Sequence, residues 1–486
     1  MKQSVSSGTV YFMGSEVAFM LSNYLIHLGL ARYLGLEAYG VFGILMSLYL
    51  INRAFLNTGL PRAVSKFLSE SPEKIGSIFK SAFKMQLMIA ATFALLYILF
   101  APFIANLLHD RSLTYYIMFL GVMVIPLALM SLHTNGYLNG LRMFREQAYV
   151  STVYPVIRLV FTIILVLMGW AIWGALLGYF LSVLVGLFWC RYLLRKFDTS
   201  ENQIFPYKKI IALAAPMVIA SLAFTLLRNV NVLFLKSILA DNTVVGLYTA
   251  AATLSTINYI AFTGLPLTLT PSVSQAIALQ DHEKVKKYIS QSLRYLLLLI
   301  LPVTAVMAAT STELLTFFYS SAYAPAASVL SLLVVSAAFL LIFTVFGSIV
   351  TGSGNPKMEM YWSVGIALAL SLLNIVLIPR YGMMGSAWAS VMTSFLAAII
   401  AGGYVYWKFK TLTNLFSVLR ISVISFLIFF LAWHWHYSGI ALIITYLLLG
   451  ILYILLLFLF GELKKEDFHF VKKLMLQRHE VKNNTS

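Results

Sequence analysis

Charge is the scarcest property of this 486-residue chain. Only 10% of its residues are Asp, Glu, Lys or Arg while 60% are hydrophobic, and a soluble protein of this length needs far more charge to cover its surface. Acids are half as common as bases, 17 against 34. In a soluble protein that excess would point to nucleic acid. Here the bases sit in short loops, where topology bias and anionic lipid account for them, and no nucleic-acid partner is expected. A single cysteine, Cys190, rules out an intrachain disulfide and a cysteine metal cluster. Walker, HExxH and GxSxG patterns and acidic metal clusters are missing, and the eight histidines are scattered. Neither a catalytic nor a metal site is expected, nor any cofactor.

What the chain has in abundance is apolar blocks of about 20 residues, each long enough to cross roughly 30 Å of hydrocarbon as a helix. Fourteen spans are predicted, at 10–30, 39–59, 83–105, 113–135, 149–168, 170–190, 209–235, 244–268, 290–309, 325–350, 359–378, 383–405, 415–434 and 438–460. The opening MKQSVSSGTVYFMGS has no small-residue cleavage site and reads as the start of the first span. Alternate loops are basic: Arg62, Lys66, Lys74 and Lys80 in one, Arg142 and Arg145 in the next, then Arg191 to Lys209, and Lys284 to Arg294. The remaining loops hold only Arg32, Arg111, Lys236 and Arg380. This asymmetry predicts a multi-pass protein of the cell (cytoplasmic) membrane with both termini cytoplasmic.

The chain also repeats itself. Thr-Gly-Leu-Pro occurs at Thr58–Pro61 and at Thr263–Pro266, an offset of 205. NGLRMFREQAYVS from Asn139 matches TGSGNPKMEMYWS from Thr351, and VLMGWAIWGALLG from Val166 matches VLIPRYGMMGSAWAS from Val376. Matches in the same order predict two six-helix lobes, 1–205 and 206–410, related by a pseudo-two-fold axis along the membrane normal. Helices 13 and 14 (411–463) and a basic cytoplasmic tail (464–486) follow. The fold class is all-α and polytopic, with the lobes closing around a cleft.

The informative charges within spans are Glu16, Arg53, Arg158 and Arg228. An arginine at a span centre costs about 2.5–3.5 kcal/mol on insertion scales, so each needs water, a partner or a ligand. Near a helix end it can snorkel instead. Glu16, Asn23 and His27 share a face of span 1, and Ser221, Thr225 and Arg228 form a similar stripe on span 7. Asn23 and Arg228 differ by 205, the offset of the proline pair. Asn52, Asn57 and Asn258 extend this polar wall, although small polar residues also act as helix glue. Three arginines against one glutamate favour an anionic head group, because guanidinium donates several hydrogen bonds to phosphate. Glu16 could take up H⁺ or Na⁺ and couple transport to a gradient.

With Arg53, the TGLPRAVSKFLSE connector, the ARYLGLEAYGVFG phrase and the VLIPRYGMMGSAWAS segment, the chain resembles the polysaccharide and oligosaccharide flippases of the multidrug/oligosaccharidyl-lipid/polysaccharide exporter (MOP) superfamily, Wzx-type translocases and the stage V sporulation protein B group. The resemblance implies alternating access that carries a polyprenyl-(di)phosphate-linked glycan from the cytoplasmic to the outer leaflet, in company with membrane lipids and glycan-assembly proteins. It implies Arg53 and Arg228 as the diphosphate ligands; the embedded polar residues themselves suggest Asn23, Arg158, Asn57 and Asn258 as further substrate-binding residues and Glu16 as the ion-coupling group. In the related lipid II flippases span 1 supplies cavity arginines, where this chain has Glu16 and Asn23. The alternatives are a cation-coupled multidrug exporter and a membrane glycosyltransferase or polymerase using Glu16 or His27.

Overall fold

The apolar blocks fold as helices because a backbone in hydrocarbon must satisfy its own N–H and C=O groups. The computed structural model describes residues 5–195, 197, 205–262, 264–435 and 439–463. Thr263, His436 and the tail expected at 464–486 lie outside the described residues. All regular structure among those described is helical.

The first half contains α1 (Val5–Thr58), α2 (Leu60–Glu70), α3 (Ile75–Leu107), α4 (Leu113–Ser131), α5 (Phe144–Leu165) and α6 (Ala171–Leu194). The second contains α7 (Tyr207–Leu239), α8 (Asn242–Ala261), α9 (Gly264–Ala278), α10 (His282–Ala309), α11 (Ser311–Phe318), α12 (Ala327–Gly352) and α13 (Pro356–Phe409). α14 (Leu415–His434) and α15 (Ile440–Leu459) end the described chain. Ten helical segments of the described residues are long and apolar enough to cross a membrane, or eleven if α8 and α9, bent by 42°, make one span. The predicted span at 244–268 therefore breaks, and the loop expected at 310–324 contains α11.

Some segments are far longer than a bilayer is thick. α1 has 54 residues, about 80 Å of helix, yet the Arg53 guanidinium lies 4.4 Å from the centre of the Phe19 ring. The chain doubles back at Gly35, whose φ of 77° and ψ of 176° suit only glycine. Gly382 (φ 57°, ψ −137°) interrupts α13 in the same way, and Gly169 (φ 92°) turns α5 into α6.

The main core joins both halves, with Ile26, Phe42 and Leu45 of α1 packed in one cluster with Tyr248, Leu254 and Val334 of α8 and α12. At the Gly35 end this junction is nearly backbone to backbone. A Cβ on Gly40 would run into the Asn242 carbonyl and lie 2.9 Å from Gly246 N, and one on Gly246 would meet the Leu36 carbonyl. Arg32 donates to the carbonyls of Phe317 (2.6 Å), Phe318 and Tyr319 (both 2.9 Å) at the C-terminus of α11. The Tyr323 hydroxyl donates to Ala31 O at 2.9 Å. Lys236, 1% exposed, reaches Asp110 at 3.2 Å, and Asn242 donates to the same carboxylate oxygen. Burial disfavours a charged Asp110, but hydrogen bonds from Ser112, Asn242 and Lys236 and the Lys236 charge outweigh it and hold the carboxyl below its ordinary 3.8.

The opposite, basic end has a softer junction. Thr58 and Ser221 share a hydroxyl hydrogen bond of 2.9 Å, and a Cβ on Gly59 would meet first the side chain of Val218. α14 and α15 pack on α10 through Ile421, Ile424, Leu449 and Leu298. Arg294 Nε binds Glu462 Oε1 at 2.7 Å and pins the end of α15 to α10.

Candidate functional site

The local sequence around His133 puts polarity where a continuous α-helix would be apolar. Leu132–Leu138 forms a π-helical turn after α4, a geometry that pushes side chains and carbonyls out of their regular stacking. Thr134 and Asn135 thereby line a cavity of about 460 Å³. All its lining residues belong to the first half: Glu16, Phe19, Arg53 and Asn57 from α1, Arg62 from α2, and Gln147 and Tyr154 from α5 among them. One amide chain fixes the wall. Ser65 donates to Asn139 (2.8 Å), Asn139 to Gln147 (3.0 Å), and Gln147 to Asn135 (3.4 Å).

Two guanidiniums meet one ring beside this cavity. Arg53 lies 4.4 Å and Arg158 4.8 Å from the centre of Phe19. Arg158 also packs against Tyr179 (4.8 Å) and Tyr154 (5.6 Å). It is 1% exposed, and its Nε and Nη2 have no hydrogen-bond partner. Neither arginine forms an ion pair among the described residues. Cation–π contact therefore supplies only part of the compensation a carboxylate would otherwise give. The Asn57 Oδ1 is likewise buried without a partner.

Arg228 is separate. It lies 4.7 Å from the Tyr259 ring centre and lines a second cavity of about 80 Å³ within the second half, with Asn231, Tyr248 and Ser390. Asn374 donates to Asn231 (2.7 Å), which donates to Ser390 (2.8 Å). A third cavity, about 1450 Å³ and apolar, lies between α9, α10, α14 and α15 and is lined by Leu265, Leu298, Pro302, Leu449 and Leu457.

The structure brings Glu16, Arg53 and Asn57 together and sets Arg158 directly behind them. It does not gather the remaining predicted site residues with them. Asn23 is half-buried and lines none of these cavities. Asn258 is fully buried and donates to Thr304 at 2.7 Å, the helix-glue role. His27 shares a 2.9 Å hydrogen bond with the Tyr39 hydroxyl, away from the cavity. Phe19, Asn135, Asn139 and Gln147 were not among the expected residues. The polar run HTNGYLNG at His133–Gly140, interrupting an apolar span, is the signal that points to the two asparagines. Among the described residues no group of three or more His, Cys, Asp or Glu could hold a metal ion.

Known proteins resemble this chain in sequence and in fold. The profile of the polysaccharide biosynthesis protein family matches residues 5–264, and that of MatE matches 216–379. The uncharacterized membrane protein MJ1375 of Methanocaldococcus jannaschii is 24% identical over 440 residues, 86% of this chain and 99% of its own. The lipid II flippase MurJ of Bacillus subtilis is 23% identical over 411 residues, 72% of this chain and 73% of its own. A solved lipid II flippase MurJ in an inward closed conformation superposes with a TM-score of 0.77 at 16% identity, covering 94% of this chain and 98% of that one. With one profile spanning more than half of it, the chain belongs to the polysaccharide biosynthesis protein family, within the MOP superfamily of alternating-access membrane transporters, and is a transporter and not an enzyme.

Proposed function

We propose that this transporter flips a polyprenyl-(di)phosphate-linked oligosaccharide from the cytoplasmic to the outer leaflet, as a Wzx-type or stage V sporulation protein B-like member of its superfamily. The observation that carries this reading is the pair of guanidiniums on Phe19, embedded beside a polar cavity with no carboxylate among the described residues paired to either. Leaving them so is costly unless an anion arrives, and a phosphate can take several N–H donors at once. Amides and hydroxyls on the rest of the wall suit sugar hydroxyls. The apolar cavity between α9, α10, α14 and α15, about 1450 Å³, offers room and an apolar lining for part of a polyprenyl tail.

In this reading Arg53 holds the phosphate in the first half, with Arg158 adding its charge from behind the Phe19 ring, Arg228 receives it in the second, and Asn23 and Asn57 flank the route. Asn258 stiffens the wall of α8. Glu16 takes up the H⁺ or Na⁺ that couples transport. Fourteen crossings follow if each of the three glycine-broken segments crosses twice and α8 with α9 crosses once, giving two six-helix lobes and both termini in the cytoplasm. The MatE match at 216–379 favours one other reading, a cation-coupled multidrug exporter. Direct binding separates them: purified protein is expected to bind a polyprenyl diphosphate far more tightly than the uncharged polyprenol, and Arg53→Ala to erase the difference. Preference for a lipophilic cation over the diphosphate contradicts the proposal.

A further inference from the structure

Glu16 and Phe19 stand three residues apart on α1, so they share a face and both look toward Arg53 on the returning half of the same helix. A carboxylate and a guanidinium in one membrane-embedded cavity attract strongly. Arg53 and Glu16 nonetheless form no ion pair among the described residues, although the Arg53 charge is felt at Glu16. Arg53 sits on the Phe19 ring at 4.4 Å instead. The ring cannot swing away, because Arg158 packs on it at 4.8 Å and is itself buried among Tyr154 and Tyr179.

We propose that Phe19 is a positioning residue that holds Arg53 off Glu16 and so keeps the guanidinium free for an anionic head group. This rests on the anion-binding reading of the cavity. Without the aromatic face Arg53 falls onto Glu16, which stands three residues before Phe19 on α1, and the cavity neutralises itself. The ring thus decides whether one arginine serves a ligand or an internal partner.

The test is equilibrium binding of a polyprenyl diphosphate to the purified full chain, with polyprenol as the uncharged probe. Phe19→Leu is expected to weaken diphosphate binding roughly 2- to 30-fold, the equivalent of one cation–π contact, and to leave polyprenol binding unchanged. Phe19→Tyr keeps the aromatic face and should bind as the parent does. Phe19→Leu combined with Glu16→Gln should regain affinity, because no carboxylate is left to capture Arg53; a purely structural role for the ring gives no such rescue. Parent-like diphosphate binding by Phe19→Leu, or a double variant as weak as Phe19→Leu, overturns the proposal. If Phe19→Leu does not fold, Phe19→Met takes its place in the same comparison. Should Arg53→Ala bind the diphosphate as well as the parent, the anion-site reading itself fails, an outcome distinct from failure of the positioning role alone.

Discussion

Alternating access requires the junction at the Gly35 end to open, and Gly40→Ala tests how tightly it is shut. The new methyl would lie 2.9 Å from the Asn242 carbonyl carbon and from Gly246 N, besides meeting the carbonyl oxygen. Non-bonded heavy atoms pack at about 3.5–4.0 Å, and the carbonyl oxygen is the closest of the three, so α1 and α8 must part by more than about 1 Å, and backbone has no rotamer with which to yield. Overpacking of this kind costs about 1–3 kcal/mol, which moves a closed-to-open ratio by about 5- to 150-fold. The single cysteine makes the assay simple: in a Cys190→Ser background, spin labels at exposed Tyr33 and Thr312 report the separation of α1 from α11. Gly40→Ala is expected to populate longer distances, while Gly403→Ala, with nothing within 4 Å of its Cβ position, should not. Identical distance distributions for the parent and Gly40→Ala would refute the view that this glycine contact closes the junction.

Three further outcomes follow from the geometry. Because Asp110 is held below its ordinary 3.8, its contribution to stability is fully present above that value and is lost as pH falls below it through the folded-state pKa. Asp110→Asn should therefore flatten the thermal-unfolding curve against pH in that acid range and nowhere above it. Glu462→Ala removes the carboxylate from Arg294, which keeps its bond to the backbone carbonyl of residue 462, and a loss of about 1.5–3 kcal/mol is expected in denaturant titration; an unchanged midpoint contradicts the clamp on α15. Gly35→Ala forces a side chain into φ 77°, ψ 176° and should cost about 1–3 kcal/mol, read as a lower melting temperature.

Helical, membrane-crossing character was legible because hydrocarbon leaves the backbone no choice but helix, and the first Thr-Gly-Leu-Pro falls at a helix boundary. α1 ends at Thr58, and Gly59 marks the step into α2. The bend between α8 and α9 was not visible, since the sequence of both is as apolar as a continuous span. α11 was missed because eight residues are too short to stand out as a span. The site was legible in its charges and less so in its geometry. Periodicity puts Glu16, Asn23 and His27 on one face, but it does not say which neighbour each will find: His27 finds Tyr39 and Asn258 finds Thr304. Phe19 carried no signal because a phenylalanine in a membrane helix is ordinary until two guanidiniums are seen resting on it.

Lipid translocation itself is the most direct measurement. In proteoliposomes carrying a fluorescent polyprenyl-diphosphate oligosaccharide, a reagent confined to the outside reports how much glycan has crossed from the inner leaflet. The protein is expected to expose the inner pool, and Arg53→Ala with Arg228→Ala to insert normally but leave that pool protected. Parent-like flipping by the double variant, or no flipping of any lipid-linked glycan by the parent, contradicts the assignment.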